Sequence, residues 1–355
     1  AMIAAYYNIS FIPMQTFLLS LTGRAKLKGI LEIVTSATEF ETIQMRRHEE
    51  HLLRRVYDRV PVKMSQPSYD SPHFKAFVLL QAYFSRMQLP IDLAKDQEVI
   101  VSKVLNLLSA CVDVLSSEGH LNAMYAMEMS QMVVQAMWDR DSPLKQIPHF
   151  TPEVIRVANE FGYVPYQLIC EDCSTNVHPS RINDIFEFME AMVPSENKDY
   201  NTLVKRLGLD NKQLAQAAAF TNDKYPNVEL DFQVEDPDNI VAGEPAYLKI
   251  KIERDVEEDD EVDTTVHAPF YPGTKMENWW LVVGEDKTKS LLAIKRVTVG
   301  RKLELRLEYV VPTPGEHELT LYLMCDSYVG VDQDPTFKVT AAEGMDEDES
   351  EEESE

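Results

Sequence analysis

At Tyr225-Pro226 the spacing of apolar residues changes, and that change limits the possible folds more than any other feature of this chain. Upstream, apolar residues recur at intervals of three and four, which places them on one face of a helix. Downstream they recur at every second position, which places them on one face of a strand. The chain is therefore expected to be α+β and multidomain, with the helices first and the strands after them.

In the upstream part, residues 24–36 place Leu27, Ile30, Leu31 and Val34 on one face. Residues 39–60 read as one long charged helix with a narrow stripe of Ile43, Leu52, Leu53, Val56 and Val60. Ser71-Pro72 offers an N-cap with proline at the first helical position, opening a helix through Arg86. Residues 91–117, ended by Gly119, and 121–138, closed by DRDSP, complete a helical bundle over 1–148. Shorter helices over 151–161, 181–193, 197–207 and 211–222 predict a helix-loop-helix domain over 149–226, in which Asp210 caps the last helix after Gly208. Residues 228–234, 246–253, 264–268, 279–283, 291–299, 303–310, 317–324 and 337–340 read as strands separated by turn signals such as AGEP and VPTPGE. That pattern predicts an immunoglobulin-like, fibronectin type III-like β-sandwich over 227–342. The last stretch, 343–355, holds nine acids and no base and is expected to be disordered.

Charge follows the same division. Residues 1–150 carry 15 basic and 15 acidic side chains, whereas 227–342 carry 12 and 24 of the 34 and 59 in the chain. A whole-molecule attraction to nucleic acid or an anionic membrane is excluded by the net charge of -25, but a local basic patch is not. No window of 18 residues is both free of charge and strongly apolar, so no transmembrane helix is expected. AMIAAYYNIS has no basic region leading into an apolar core, so no signal peptide is expected, and its abrupt apolar start looks cut from something longer. Four cysteines and no export signal favour reduced thiols.

Several chemistries fail on spacing. The twelve glycines are never closer than six positions apart, so neither a Walker A loop nor a dinucleotide fingerprint fits. No GxSxG is present. His48 and His51 in HEEH stand three apart rather than four and are crowded by arginines, which favours a solvated helix face over a metal site. Cys170, Cys173 and His178 offer three zinc ligands, but a fourth is missing nearby except for the distant His149. Ordinary loop cysteines are the other reading. No catalytic, cofactor-binding or metal residue is assigned.

Two surfaces are candidates for binding. MRRHEEHLLRRVYDR gathers Arg46, Arg47, Arg54, Arg55 and Arg59, either as a phosphate-contacting patch or as a salt-bridged exposed helix. Helix 121–138 is rich in methionine, and Glu128, Gln131, Gln135 and Trp138 share its opposite face at spacings of three and four. The methionines suit core packing, and the polar stripe suits a docking or stacking strip.

The strings MIAAYYNIS (2–10), LLSACVDVLSSEGHLNAMYAMEMSQMVVQAMW (107–138), SPLKQIPHF (142–150), KYPNVEL (224–230), WWLVVGEDKTKSLLAIKRVT (279–298) and LTLYLMCDSYVGVDQ (319–333) carry a resemblance. Over nearly its whole length the chain resembles the Sec-sixty-three homology unit of Ski-two-like, superfamily two RNA helicases. Within that family it looks most like the C-terminal copy in tandem-cassette spliceosomal helicases. The resemblance implies that the unit packs against RecA-like and winged-helix domains of the same polypeptide, where ATP and Mg would be held; this chain itself would hold no cofactor. It implies a ratchet helix at 121–138 that lines a nucleic-acid channel in active relatives. Between His120 and Arg140 no Lys or Arg occurs and Glu128 is acidic, so RNA contact by this copy is expected to be weak. The expectation is therefore a non-catalytic, nuclear, protein-interaction and regulatory module that docks splicing proteins. The alternative is an RNA-contacting ratchet module, of spliceosomal or transcription-coactivator type. A membrane protein-translocation subunit with the same unit is a weaker fit, because no membrane span is expected.

Overall fold

Every residue from Phe74 to Phe84 is buried, and the helical half is arranged to cover that segment. The computed structural model describes residues 27–64, 66–163, 180–194, 197, 199–256 and 262–344. Among the described residues five helices form the first part: α1 Leu27–Thr35, α2 Glu50–Arg59, α3 Pro72–Phe84, α4 Ile91–Ser117 and α5 Ala123–Gln135. A helix as apolar all round as PHFKAFVLLQAYF is stable only when wrapped on every side. Helices α1, α2 and α4 pack on α3, and α4 runs along α5.

One charge interrupts that apolar run. Lys75 is fully buried, and its Nζ meets Glu49 Oε2 at 2.7 Å, Asp96 Oδ2 at 2.6 Å and the carbonyl of Gln44 at 2.8 Å. Arg46 donates to Glu49 Oε1 at 2.9 Å and pairs with both oxygens of Asp96. The four groups sum to zero charge, which is what allows Lys75 and Glu49 to be buried, with Asp96 and Arg46 partly exposed beside them. Burial pushes the Asp96 carboxyl up, but hydrogen bonds from Arg46 and Lys75 outweigh it and hold the group below the usual carboxylate range.

This network explains why the expected long helix over 39–60 is not one helix. The chain makes a single 3-10 turn at Thr38–Phe40, passes through His48 in the left-handed region (φ 64°), and becomes α-helical only at Glu50. The break turns Glu49 inward to Lys75. The helix expected through Arg86 likewise stops at Phe84, because Arg86 itself has φ 48°. Its guanidinium donates to the carbonyls of Gln135 and Ala136, both at 2.9 Å, and so caps the end of α5.

Helix α4 keeps the bounds expected for it. By length and composition it is apolar enough to cross a membrane, although its apolar window is not free of charge. Packing accounts for its apolar length: half of that window is buried, and Ile100, Val104, Leu107, Leu108 and Leu115 belong to the bundle core. Two of its charges in the apolar stretch are also engaged, Lys103 with the carbonyl of Glu39 and Asp113 with Arg296.

Among the described residues four short helices follow: α6 Pro152–Glu160, α7 Ile185–Ala191, α8 Tyr200–Leu207 and α9 Asn211–Asp223. Gly208 takes φ 66° at the α8–α9 turn, and Asp210 and Gln213 form a reciprocal capping box on α9. A two-residue pairing joins β1 Gly162–Tyr163 to β2 Ser180–Arg181.

The rest of the described chain is β3 Val228–Val234, β4 Pro245–Arg254, β5 Trp279–Glu285, β6 Ser290–Val297, β7 Lys302–Val310, β8 Gly315–Cys325 and β9 Thr336–Ala341. They form two antiparallel sheets, ordered β3-β4-β7 and β6-β5-β8-β9. The strand expected at 264–268 is absent apart from a lone bridge between Thr265 and Met276. There the His267 N–H donates to the Tyr328 hydroxyl at 2.8 Å instead of to a neighbouring strand. Strand β5 shows no alternation in burial because both of its faces are covered. Trp279, Leu281 and Val283 join the core shared by the two sheets, while Trp280 and Val282 join the bundle core. The acidic run from 345 onward, the N-terminal residues through Lys26, and Cys170, Cys173 and His178 lie outside the described residues.

Replacing Lys75 by Ala leaves two buried carboxylates with one cation, and it is expected to destabilise the chain by about 3–5 kcal/mol. Replacing the exposed Arg156, paired with Glu153 and Glu160 on one helix face, is expected to change stability by less than about 1 kcal/mol. Urea denaturation midpoints of the two variants measure the contrast.

Candidate functional site

The methionine-rich helix α5 faces two cores at once. Met127, Met129 and Met132 are buried in the bundle. The opposite stripe is also covered, by the β-part of the same chain. Gln131 Nε2 donates to the Cys325 carbonyl at 2.8 Å and to the Asp332 carboxylate at 2.8 Å. One turn on, Gln135 Nε2 donates to the Ser327 carbonyl at 2.8 Å. Gln146 completes the row, donating to the Val329 carbonyl and accepting from the Val329 N–H, both at 2.9 Å. Three glutamines thus bind the backbone of the segment 325–329 that leaves β8, and Asp332 folds back to accept from the Cys325 N–H at 2.8 Å.

An amide side chain suits this role because it both donates and accepts without carrying charge into a buried interface. Trp138 does not extend the stripe to solvent. The helix ends at Ala136 in the left-handed region, and the Trp138 indole turns back to donate to Ser85 Oγ at 2.9 Å, edge-on to Phe84 at 5.1 Å. Of the four residues expected to share a face, Gln131, Gln135 and Trp138 are buried, so they are not available as a stacking strip for a nucleic-acid strand.

Glu128 sits one helical turn before Gln131 and is half-buried. Burial, followed by the nearby Asp332 and Asp139, pushes its carboxyl up to about 7. Burial also raises Asp332 to about 6, against the lowering effect of the Gln131 and Cys325 hydrogen bonds. The interface therefore holds two carboxyls that resist ionisation together.

The arginines separate into two groups. Arg46 is consumed by the buried network with Glu49, Lys75 and Asp96. Arg54 pairs with Glu50 at 3.3 Å and lies 4.6 Å over the Tyr69 ring. Arg47, Arg55 and Arg59 are exposed, with Arg47 before the helix rather than on it. His48 and His51 are both exposed, and the left-handed His48 takes them off a common helical face. Among the described residues no group of three or more His, Cys, Asp or Glu side chains is placed to hold a metal ion. His149 Nε2 instead meets Gln216 Oε1 at 2.6 Å.

Sequence reasoning missed Lys75, Arg86, Gln146 and Asp332. Of these, Lys75 left a local signal, as the lone charge in an eleven-residue buried run. The partners of Gln146 and Asp332 lie 183 and 201 positions away, beyond the reach of any local pattern.

Among the described residues, an α-helical bundle is joined by a polar clasp to two antiparallel sheets. The chain belongs to the Sec63 Brl domain family, which matches residues 1–338. It is 46% identical over 347 residues, 98% of its length, to the pre-mRNA-splicing factor brr2 of Schizosaccharomyces pombe. It is 42% identical over 356 residues, 99% of its length, to the U5 small nuclear ribonucleoprotein 200 kDa helicase of Drosophila melanogaster. To the Homo sapiens protein of that name it is 41% identical over 343 residues, 96% of its length. In each case the matched region is 15% of the relative's own length.

A carboxyl with a raised folded pKa favours the fold when protonated. Its contribution is complete below the unfolded value and is lost as pH rises through the folded one. Stability is thus expected to fall between about pH 4.5 and pH 7 on account of Glu128. Glu128→Gln is expected to be about 1–2 kcal/mol more stable than the parent at pH 8 and no more stable at pH 4, as read from thermal melts at the two pH values. Gln131→Ala leaves the Cys325 carbonyl and Asp332 without their shared donor and is expected to cost about 1–3 kcal/mol in the same assay.

Proposed function

We propose that this chain is the Sec63-type module of a U5 small nuclear ribonucleoprotein RNA helicase, serving in pre-mRNA splicing as a non-catalytic docking and regulatory platform in the nucleus. The burial of the α5 stripe carries this reading. The resemblance implies strand-contacting groups on that helix in active relatives, and here Gln131 and Gln135 are committed to the chain's own backbone. A helix with no base between His120 and Arg140 and with a carboxyl at Glu128 is a poor track for a phosphate backbone.

On this reading the ATP and Mg chemistry belongs to RecA-like domains elsewhere in the parent polypeptide, which together with a winged helix would be the module's partners in cis. Its partners in trans would be spliceosomal proteins that meet its surface and modulate the active cassette. The working division of the chain is a bundle over 1–148, a helix-loop-helix domain over 149–226, an immunoglobulin-like sandwich over 227–342 and an acidic tail over 343–355. Seven antiparallel strands in a three-plus-four arrangement support the sandwich assignment.

A second reading, RNA contact by a ratchet-type module of a tandem-cassette helicase, draws on a different observation. Arg47, Arg55 and Arg59 are exposed, the last two one turn apart on α2. A transcription-coactivator helicase of the same layout would be the other possible parent.

Affinity capture with the tagged chain from nuclear extract, read by mass spectrometry, is expected to recover spliceosomal proteins. Recovery of none would remove the docking reading. Filter binding with single-stranded RNA is expected to show no salt-sensitive affinity at micromolar protein, and a clear titration would favour the second reading instead.

A further inference from the structure

By composition MRRHEEHLLRRVYDR is partly self-neutralised, because Glu49, Glu50 and Asp58 stand among its arginines. The fold removes part of that compensation. Glu49 turns inward to Arg46 and Lys75, and Asp96 joins the same two cations, so the network is closed on itself. The outer surface of α2 then divides into two rows, each at helical spacing of four. One row is Glu50, Arg54 and Asp58, in which Arg54 is paired with Glu50. The other is His51, Arg55 and Arg59, with Leu52 beside it and Arg47 just before the helix. All five are exposed, Leu52 to 37%. Among the described residues no carboxylate lies within ion-pair distance of Arg47, Arg55 or Arg59.

We propose that this second row docks an acidic segment of a separate protein, one that also brings an apolar side chain to Leu52. The inference rests on the docking-platform reading and gives that platform a place and a partner chemistry. Arg55 and Arg59, one turn apart on α2, match carboxylates, which guanidiniums can bind with paired N–H donors, and Arg47 before the helix adds a third exposed cation. The choice of polypeptide over nucleic acid follows from Leu52 and from the aromatics around it. A single strand held by such a patch gains much of its affinity from base stacking. Tyr57 on this helix is buried, and the Tyr69 ring already carries Arg54 on its face. A phosphate chain would also lie against Leu52 without giving it anything apolar to pack on.

The test is fluorescence anisotropy with the whole chain at about 0.15 M salt, using three labelled probes of matched charge. The probes are an acidic peptide with leucine at every fourth position, the same peptide with serine in place of leucine, and single-stranded RNA. The leucine-bearing peptide is expected to bind about tenfold more tightly than the other two, the worth of one partly buried apolar side chain. Arg55→Glu combined with Arg59→Glu is expected to lose about tenfold or more of that affinity. Leu52→Ser is expected to weaken the leucine-bearing peptide severalfold and leave RNA unchanged. All three substitutions are at exposed positions, and unchanged thermal melts confirm that each variant is folded. Equal or tighter binding of RNA, no preference for leucine, insensitivity to the double arginine change, or no binding of any probe would each overturn the proposal. Failure here alongside successful capture of spliceosomal proteins places docking elsewhere on the chain. Probe binding with failed capture would keep the patch and remove the spliceosomal reading.

Discussion

The contact on which the rest of the structure depends is the row of amide side chains, Gln131, Gln135 and Gln146, bonded to the backbone that follows β8. A segment such as Cys325–Val329 leaves its sheet with unpaired carbonyls, and burying those without donors would cost more than the burial returns. The glutamines supply the donors from the helical side, so two halves with different periodicities share one interior boundary. Strand β5 is the clearest result. It is covered on both faces, with Trp279 in the core of the sheets and Trp280 in the core of the bundle.

A second constraint governs the opposite end of the bundle. The buried Lys75 draws Glu49 and Asp96 inward and breaks the path of the chain at His48. Such a network is a weak source of net stability, because the desolvation of four charges offsets most of their attraction. Its larger effect is on position: it decides which acids are hidden and therefore which arginines remain uncompensated at the surface. The electrostatics of α2 are thus set by a residue on another helix.

The fate of the polar stripe on α5 follows from the first of these boundaries. A polar stripe on an amphipathic helix is ambiguous in isolation, since it can meet solvent, a ligand or another part of the chain. In this protein the third option is realised, and α5 is an internal joint. Two carboxyls, Glu128 and Asp332, lie in that joint with raised pKa values. No basic side chain occurs among residues 121–138 to offset them.

The fold class was legible in the chain itself, because the change of period at Tyr225-Pro226 reports which kind of element can bury its apolar face. Helix α4, the capping box at Asp210 and strand β3 follow the local pattern closely for that reason. The stripe Glu128, Gln131, Gln135 was legible as a stripe, and the arginine cluster as a cluster. Their surroundings were not. Whether Gln131 faces water or Asp332 depends on a contact across 201 positions, and whether Glu49 screens its arginine neighbours depends on Lys75, 26 positions on. Periodicity fixes which face of an element is apolar, since that is a local property of the backbone. What covers a polar face is decided only when distant segments meet, because burial and hydrogen bonding belong to pairs and not to single residues.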